Sequence, residues 1–493
     1  MKRIGLLVLF VVACGHHGLS GDGGSGGTDG SIAGDDGGTG GDGGTGGDGG
    51  TGGDGGTGSD AGSSDGNTGD AGVPGACGLP VCAHAFSSGT KGAALDVAVD
   101  SANNVYVTGL SESDLTFGTH TLYRIGSRDA FVVSFAADGS YRWAKRWGHS
   151  TTLVGAYGIA VDPANNIYIV GGLTGAIDFG GGPVGSSSGA FIASFDQNGN
   201  HRWSRADGGG SGLLDVAVAD GKVFGIGRFL QSITFGSTTL TSAGAEDVVV
   251  AAFTSTDGTF AWARRLGTDA TDYEGGIVAR AGSIAFTMSR ALIGSGEQLV
   301  SFTTSGADRW SITLPPATDL RGVSLAANGT VYVSGLHAGG TDVVPGATYG
   351  SGDNEFVHAY ADGGASLWSW TLPEAPAHTF GAIPRTPSAL DPAHNLVLAG
   401  CYDGTLYTGT TTLTNGLRTL FLATFSPTGT PLAARKIDDA APGTSATEYL
   451  GGVAIDSAGI TYLAGQYYGT PNFGDGALPF ASEGGVLIVR IAP

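Results

Sequence analysis

A pattern of two short alternating strands recurs seven times beyond residue 90, and this repetition limits the fold more than any other feature of the sequence. The clearest copies are 95–109 and 157–171, which read LDVAVDSANNVYVTG and YGIAVDPANNIYIVG. Apolar and polar residues alternate on both sides of an Asp/Asn turn, which predicts a β-hairpin. The copies begin near Leu95, Tyr157, Leu214, Gly275, Arg321, Thr386 and Gly451. The sequence therefore predicts an all-β repeat protein.

A second module follows each hairpin and predicts two further strands. It reads DAFVVSFAADGSYRW over residues 129–143 and GAFIASFDQNGNHRW over residues 189–203. Each unit thus holds four predicted strands in roughly 46 to 65 residues, the size of one propeller blade. A single four-stranded sheet leaves two faces uncovered, whereas a ring of such sheets covers both. We therefore predict a seven-bladed β-propeller of four-stranded blades over residues 81–493.

The last repeat lacks its fourth strand, and the start of the domain supplies a candidate for it. The copy that begins near Gly451 ends with the predicted strand 486–491. Residues 81–87 precede the first hairpin at about the distance by which residues 143–147 precede the second. Pairing the two chain ends in one sheet leaves no open strand edge in the ring. The sequence predicts that an N-terminal strand, 81–87, closes blade seven.

The repeats resemble the seven-bladed β-propeller repeat (SBBP-type) family of bacterial surface and secreted proteins. The shared pattern runs Ala-Val-Asp, then Asn-Val-Tyr-Val-Thr-Gly, then Asp-Ala-Phe-Val and a Gly-x-x-x-Trp strand, and it covers nearly all of residues 81–493. Copy four lacks the Phe-Gly element that follows other hairpins, and copy six has Ala433 where Trp is expected. The resemblance implies a propeller with no general enzymatic activity.

The first residues predict an exported protein. Lys2 and Arg3 precede an apolar run that has the length of a secretory signal and is too short to span a bilayer. The run ends Val-Val-Ala-Cys14, which resembles the lipobox of bacterial lipoproteins. The resemblance implies a signal peptide over residues 1–13 and lipid attachment at Cys14. Gly15 stands where an inner-membrane retention signal has Asp, which implies an outer-membrane or cell-surface lipoprotein. An ordinary secretory peptide with an incidental Cys is the alternative.

Residues 14–72 are rich in Gly, Asp and Thr and contain almost no apolar side chain. Such a segment cannot offset its chain entropy by packing, so it predicts a disordered tether, followed by a junction at residues 73–80. A calcium-binding β-roll also mixes Gly and Asp, but it requires apolar residues in its turns. The net charge of −21 disfavours nucleic acid as a partner. We predict contact with a membrane through the N-terminal lipid only.

Five tryptophans occupy equivalent positions of successive repeats, each four residues after a turn glycine. They are Trp143, Trp203, Trp262, Trp310 and Trp368. A ligand cage is one interpretation of this regularity. Aromatic residues at equivalent positions of neighbouring blades more often pack between sheets, so we interpret them as core residues and predict no cofactor.

Repeated aspartates at the hairpin turns are candidates for a metal site. They are Asp100, Asp162, Asp391 and Asp456. Carboxylates can bind a hard cation, but Asp also stabilises turns by accepting bonds from N–H groups two positions on. The run Asp196–Asn200 resembles the start of a calcium loop but lacks the Glu ligand at the twelfth position. We interpret all of these residues as turn formers and predict no metal.

The sequence offers little that resembles a catalytic site. Residues 185–189 match Gly-x-Ser-x-Gly with Ser187 at the centre, but that motif needs a strand before it and a helix after it. The ten histidines are dispersed and form no zinc-binding pattern. We therefore predict no catalytic residues.

Three cysteines follow the lipobox. Cys77 and Cys82 lie just before and within the closing strand, and in an oxidising compartment they are predicted to form a disulfide, with two free thiols as the alternative. Cys401 ends a strand-like run and is predicted to be a small buried side chain.

These features predict a lipid-anchored protein of the cell envelope whose propeller is a non-enzymatic binding module. The expected protein is a monomer that binds a protein or a glycan at one end of the ring. We place the contact on connections such as 110–128, 173–188 and 466–485, because these vary most among the copies. An envelope-assembly scaffold is one alternative. A propeller hydrolase or lyase acting on polysaccharide is another, and it would need acidic or His side chains from several blades at one mouth of the ring.

Overall fold

The structure is a computed structural model in which the chain forms strands and turns. It describes residues 81–85, 91–209, 212–290, 297–315, 318–337, 354–372, 374–375, 387–409, 411–437, 447–473 and 477–493. These ranges contain no helix. Their strands form seven successive blades, so the predicted all-β, seven-bladed propeller is confirmed.

The first three blades keep their strands in chain order from the first strand to the fourth. Blade one contains Gly92–Val99, Val105–Ser111, Asp129–Phe135 and Tyr141–Trp147. Blade two contains Val154–Val161, Ile167–Thr174, Ser188–Phe195 and His201–Gly208. Blade three contains Gly212–Ala219, Lys222–Phe235, Thr238–Thr254 and Phe260–Leu266.

Blades four to six follow the same order. Blade four contains Asp272–Arg280, Ser283–Arg290, Gln298–Thr303 and Asp308–Thr313. Blade five contains Thr318–Leu325, Val331–His337, Asn354–Tyr360 and Ser366–Leu372. Blade six contains Ser388–Leu390, Leu396–Tyr407, Thr412–Phe425 and Pro431–Lys436, and the short strand Glu374–Ala375 pairs with the end of its second strand.

Blade seven combines both ends of the domain. Its first three strands are Thr447–Ile455, Thr461–Gly469 and Ala481–Ile491. Its fourth is Val81–Ala85, which pairs antiparallel with the third so that Val81 lies opposite Ile491. The N-terminal strand therefore occupies the place where the sequence predicts a closing strand.

Hydrophobic clusters lie between the blades rather than within one central core. Each of seven clusters combines buried side chains of two adjacent blades. The cluster that joins blade seven to blade one contains Tyr462 and Ile488 of blade seven with Phe131 of blade one. Because every blade shares a cluster with both of its neighbours, the ring is closed by packing as well as by hydrogen bonds.

Sterics explain why a glycine occurs near the end of the second strand of the repeat. A Cβ at Gly109 would lie 2.0 Å from the carbonyl oxygen of Ala93, and one at Gly171 would lie 1.9 Å from that of Gly155. These carbonyls belong to the first strand, at a β-bulge in its pairing with the second. Only glycine lets the second strand approach that bulge.

The antiparallel strand order gives the ring two different ends. We call the turn end the one that carries the tight turns between first and second strands and between third and fourth strands. We call the loop end the one that carries the longer connections, between second and third strands and from one blade to the next. Two small hairpins extend the loop end of blades one and two. They are Leu115–Phe117 with His120–Leu122, and Ile177–Asp178 with Pro183–Val184.

Candidate functional site

The repeated aspartates form turns at the turn end of the ring. The Oδ1 atom of Asp100 accepts the N–H groups of Ala102 and Asn104 at 2.9 and 2.8 Å, and its Oδ2 accepts the Tyr106 hydroxyl at 2.8 Å. Asp162, Asp196, Asp391 and Asp456 accept backbone N–H groups of their own turns in a similar way. The interpretation of these aspartates as turn residues is therefore confirmed.

The five tryptophans bind each blade to the next. Each indole Nε1–H donates to a backbone carbonyl in the third–fourth strand turn of the following blade. The distances are 3.1 Å for Trp143 to Gln197, 3.1 Å for Trp203 to Ser255, 3.2 Å for Trp262 to Thr304, 2.6 Å for Trp310 to Asp362 and 3.0 Å for Trp368 to Pro427. The turn glycine of the following blade packs on the ring; a Cβ at Gly258, for example, would lie 2.4 Å from Trp203. The prediction that these tryptophans pack between sheets is confirmed.

A polar network supports the tryptophan contacts. Arg142 donates to the Gln197 carbonyl at 3.0 Å, to the hydroxyl of Ser134 at 2.9 Å and to the hydroxyl of Tyr106 at 2.9 Å. Burial and the bond to Asp100 raise the pKa of Tyr106 to about 12. Arg202 repeats these contacts in blade two. Sequence reasoning missed this network, although the dipeptide Arg-Trp recurs in blades one, two and four.

The tryptophan is absent where the ring closes. Ala433 holds its position in blade six, and the Arg435 guanidinium instead donates to the carbonyl of Ala492 in blade seven. In blade seven the same register position falls on Cys82, opposite Arg490. In blade seven no tight turn joins the third strand to the fourth, since these are the last and the first of the described strands. Copy six therefore lacks the tryptophan at the place where the following blade offers no such turn.

The predicted cysteine sites lie mostly beyond the described part of the structure. Cys14 and Cys77 are outside the described residues, so the lipid attachment and the disulfide stay predictions. Cys82 belongs to the closing strand. Cys401 is buried, as the sequence predicts. Ser187 lies in an exposed bend followed directly by a strand, which does not match the strand–turn–helix context of its motif.

The loop end exposes large apolar side chains. Five of the seven such residues in the described part of the chain lie at this end, three in connections between second and third strands and two in the last part of a second strand. They are Tyr123 (73% exposed), Ile125 (51%), Leu230 (45%), Tyr407 (45%) and Phe480 (67%), and we call them the apolar rim. Blades six, seven and one are consecutive in the ring and supply four of these residues. The other two exposed residues, Leu367 and Leu432, lie on fourth strands.

A buried ion pair fixes the part of the apolar rim that belongs to blade one. Asp129 is fully buried and accepts the N–H groups of Ile125 and Gly126, both at 2.8 Å. Arg146 donates to the same carboxylate at 2.7 Å and to the carbonyl of Leu122 at 3.1 Å. In blade three, Asp247 accepts a backbone N–H and the Arg265 guanidinium in the same manner. The exposed side chains of these connections are therefore presented on fixed backbone.

Charged groups of both signs lie at the loop end. In blades one and seven, Lys91 lies 3.9 Å from Glu112 and 3.8 Å from Glu483. Arg128 completes this group, 2.9 Å from Glu112. In blades three and four, Arg228 lies 3.7 Å from Glu246 and 3.9 Å from Glu274.

The hydroxyl of Tyr157 in blade two is influenced by one arginine from each of these two charged groups. Burial raises the pKa of its hydroxyl, and the charges of Arg128 and Arg228 act in the opposite direction. The loop end thus gathers acidic and basic groups from several blades, and the seven named above form ion pairs with one another.

A shallow cleft of about 540 Å³ lies between the small hairpins of blades one and two. Its wall includes Leu122, Tyr123 and Ile125 on one side and Asp178 and Phe179 on the other. The cleft thus adjoins the apolar rim and offers both apolar surface and charge.

The described residues hold no cluster of three or more His, Cys, Asp or Glu side chains that could bind a metal ion. Among the same residues, no helix has the length and apolar character needed to cross a bilayer.

Several solved structures are similar to this chain. BamB from Moraxella catarrhalis is 12% identical, with a TM-score of 0.36, and the match covers 84% of this chain and 97% of BamB. Polysaccharide lyase Uly1 is 11% identical, with a TM-score of 0.42 and coverage of 83% and 91%. Quinohemoprotein alcohol dehydrogenase from Comamonas testosteroni is 11% identical, with a TM-score of 0.37 and coverage of 83% and 76%. No family model and no curated protein matches the sequence.

The prediction that this chain is not an enzyme is contradicted by the comparisons. The solved structures similar to this chain include enzymes, a polysaccharide lyase and an alcohol dehydrogenase, alongside BamB. All three TM-scores are below 0.5, and none of these likenesses assigns an activity, a substrate or a partner to this chain. The family resemblance of the repeats also stays a prediction, because no family model matches.

Proposed function

We propose that this chain is an exported, lipid-anchored protein of the cell envelope whose propeller binds a protein or a glycan through the apolar rim. The observation that carries the proposal is the placement of exposed apolar side chains, five of which, among the described residues, lie at the loop end of the ring. Contiguous exposed apolar surface on a soluble domain marks interaction sites. Two of the connections in which the sequence predicts contact, 110–128 and 466–485, contain Tyr123, Ile125 and Phe480.

The closing strand enters the ring at the turn end. Val81 pairs with Ile491, which places Val81 at the turn end, whereas Ala85 pairs with Leu487 nearer the loop end. The chain that precedes Val81 therefore joins the propeller at the end opposite to the apolar rim.

Site-specific photocross-linking in the native envelope tests the proposal. A photoreactive amino acid replaces Tyr407 or Phe480 in the full chain. Leu432 is the matched control because it is as exposed as Tyr407 but lies on a fourth strand. We expect discrete adducts at the two rim positions and none at the control. Adducts with envelope proteins would favour the scaffold role. Equal labelling at all three positions, or none at any, would contradict the proposed rim contact.

A glycan partner is tested with the purified chain on an array of envelope glycans. Binding that weakens in Phe480→Ser and persists in Leu432→Ser would identify a glycan at the apolar rim. The same glycans are assayed for turnover, because chemical conversion of a bound glycan would make the rim part of an active site.

Lipid anchoring has its own test. Metabolic labelling with palmitate should modify the wild-type chain and leave Cys14→Ser unlabelled. Label on the Cys14→Ser protein would refute attachment at this residue.

A further inference from the structure

The fourth strand of blade five differs from the other fourth strands in its side-chain charge. It is Ser366–Leu372, with the sequence SLWSWTL. Those of blades one to four and of blade six each contain at least one Arg or Lys, as in YRWAKRW, HRWSRADG, FAWARRL, DRWSIT and PLAARK. The closing strand of blade seven, VCAHA, contains a His and is two residues shorter. Among the described fourth strands, that of blade five is therefore the one without a charged or imidazole side chain.

The missing charges fall at positions that are basic in other blades. Arg142, Arg202 and Arg309 precede the tryptophan in blades one, two and four, whereas blade five has Leu367 there. Two residues after the tryptophan, blade five has Trp370 opposite Val357, at the register where blades one, two and three have a basic residue. Those residues are Lys145, Arg205 and Arg264. With Leu367 and Trp370 at these two positions, the fourth strand of blade five has no charged side chain along its whole length.

A charge on an outer strand has a known physical effect. The outermost strand of a sheet pairs on one side only, and charged side chains or Pro on such an edge hinder the addition of another strand. In the described part of the chain, Ser366–Leu372 pairs with Asn354–Tyr360 and with no strand on its other side. Its residues Trp368–Leu372 pair without a bulge, and the segment contains neither Pro nor Gly. A regular, uncharged edge of this kind accepts a further strand.

Exposed apolar surface continues beside this edge. Leu367 is 53% exposed, and Leu432, which precedes the equivalent tryptophan position in blade six, is 47% exposed. A strand added to blade five would lie along Leu367, whereas Leu432 belongs to the outer strand of the next blade. The main-chain groups of the added strand would bind the edge, and its apolar side chains would bury Leu367.

We propose that the outer edge of blade five binds an extended, uncharged segment of another polypeptide by β-strand addition. This surface is separate from the apolar rim, so the inference goes beyond the proposed function. Two copies of this chain fit the edge less well. Pairing two convex rings through one short strand buries far less than the roughly 1,200 Å² of a stable interface. Two-fold antiparallel pairing would also turn blade six, with Arg435 and Lys436, toward its own copy.

A fluorescent peptide tests the proposal against the full-length protein. The probe has the sequence SLWSWTL flanked by Gly-Ser-Gly at each end, with both termini capped so that it carries no charge, and a version with Pro at the central Ser is the negative control. Fluorescence anisotropy should show saturable binding of the first peptide only. Ser369→Lys in the protein should weaken this binding at least roughly tenfold, because it places a charge in the centre of the edge.

Matched variants separate the edge from general effects of charge. Ser311→Lys makes the same change at the equivalent register of blade four, where Ser311 also follows the tryptophan. Leu367→Arg restores the basic residue of blades one, two and four, and Leu432→Arg is its control in blade six. Binding should weaken in Ser369→Lys and Leu367→Arg and persist in Ser311→Lys and Leu432→Arg. Thermal melting of each variant checks that the ring stays folded.

Three outcomes would overturn the proposal. They are no binding of the peptide up to millimolar concentration, equal loss in the edge variants and their controls, and equal binding of the Pro-containing peptide. Sedimentation of the protein alone distinguishes the other occupant. A concentration-dependent dimer that Ser369→Lys abolishes would assign the edge to a second copy of this chain and would reject the proposed partner. None of these results depends on the apolar rim or on lipid attachment.

Discussion

Replacing Trp203 should weaken the ring by an amount that the interblade contact allows us to estimate. Trp203 is 7% exposed, donates to the Ser255 carbonyl at 3.1 Å and packs against Gly258 of blade three. Trp203→Ala removes a buried indole that no neighbouring side chain can replace, which costs about 3–5 kcal/mol. Trp203→Phe keeps one ring and loses the donor and part of the packing, which costs about 1–2 kcal/mol. The Ser255 carbonyl still accepts from Tyr168 and Arg202 in both variants.

Urea titration of the full chain, followed by circular dichroism, measures the free energy of unfolding of each variant. Ala433→Trp is the informative control, because it introduces the missing tryptophan beside a blade that has no third–fourth strand turn. We expect Ala433→Trp to give no stabilisation. A loss below about 1 kcal/mol in Trp203→Ala, or a gain of that size in Ala433→Trp, would show that the contact with the following turn is not what makes this position stabilising.

Three further perturbations test the fold. Burial, followed by the charge of Asp319, raises the pKa of Glu297 from 4.5 to about 8, so the cost of this buried acid is absent below pH 4.5 and grows until about pH 8. Glu297→Gln should therefore gain stability relative to wild type as the pH rises across this interval, by several kcal/mol, on the order of 1.4 kcal/mol for each pKa unit; parallel pH–stability curves would contradict this. Arg146→Ala leaves the buried carboxylate of Asp129 without its ion pair and should cost about 3–5 kcal/mol, while the additional change Asp129→Ala should recover part of the loss in the same titration. Deleting Val81–Ala85 unpairs the last strand and should lower the melting temperature clearly, whereas deleting residues 15–72, which the sequence predicts to bury nothing, should leave it nearly unchanged.

The architecture could be predicted from the sequence because its signals are local and repeated. Alternation of apolar residues with a period of two, Asp or Asn at the turns and Gly at the end of the second strand each depend on nearby backbone geometry. The packing of the tryptophans between blades could also be predicted, since the same residue recurs at the same distance from a turn glycine in successive repeats. Seven such units and a missing fourth strand were enough to predict how the ring closes.

The candidate site was harder to predict because it depends on irregular connections. Tyr123 and Phe480 lie outside the repeat pattern, and their exposure follows from how each connection is held at the loop end. The bond from Arg146 to Asp129 joins residues 17 positions apart on different strands, which no local pattern reveals. The absence of catalytic motifs did not justify excluding an enzyme, because catalysis depends on groups that converge from several blades and not on adjacent residues.

The closing strand also determines how the ring responds to tension. A pull on the chain ahead of Val81, directed along the strand and away from the turn end, loads the five residue pairs between Val81–Ala85 and the last strand at the same time. The hydrogen bonds then resist as a group in shear, whereas a pull directed outward from the ring would open them one after another from Val81. Mechanical resistance of this protein should therefore depend on the direction of the force, and it should be greatest when the force runs along the closing strand.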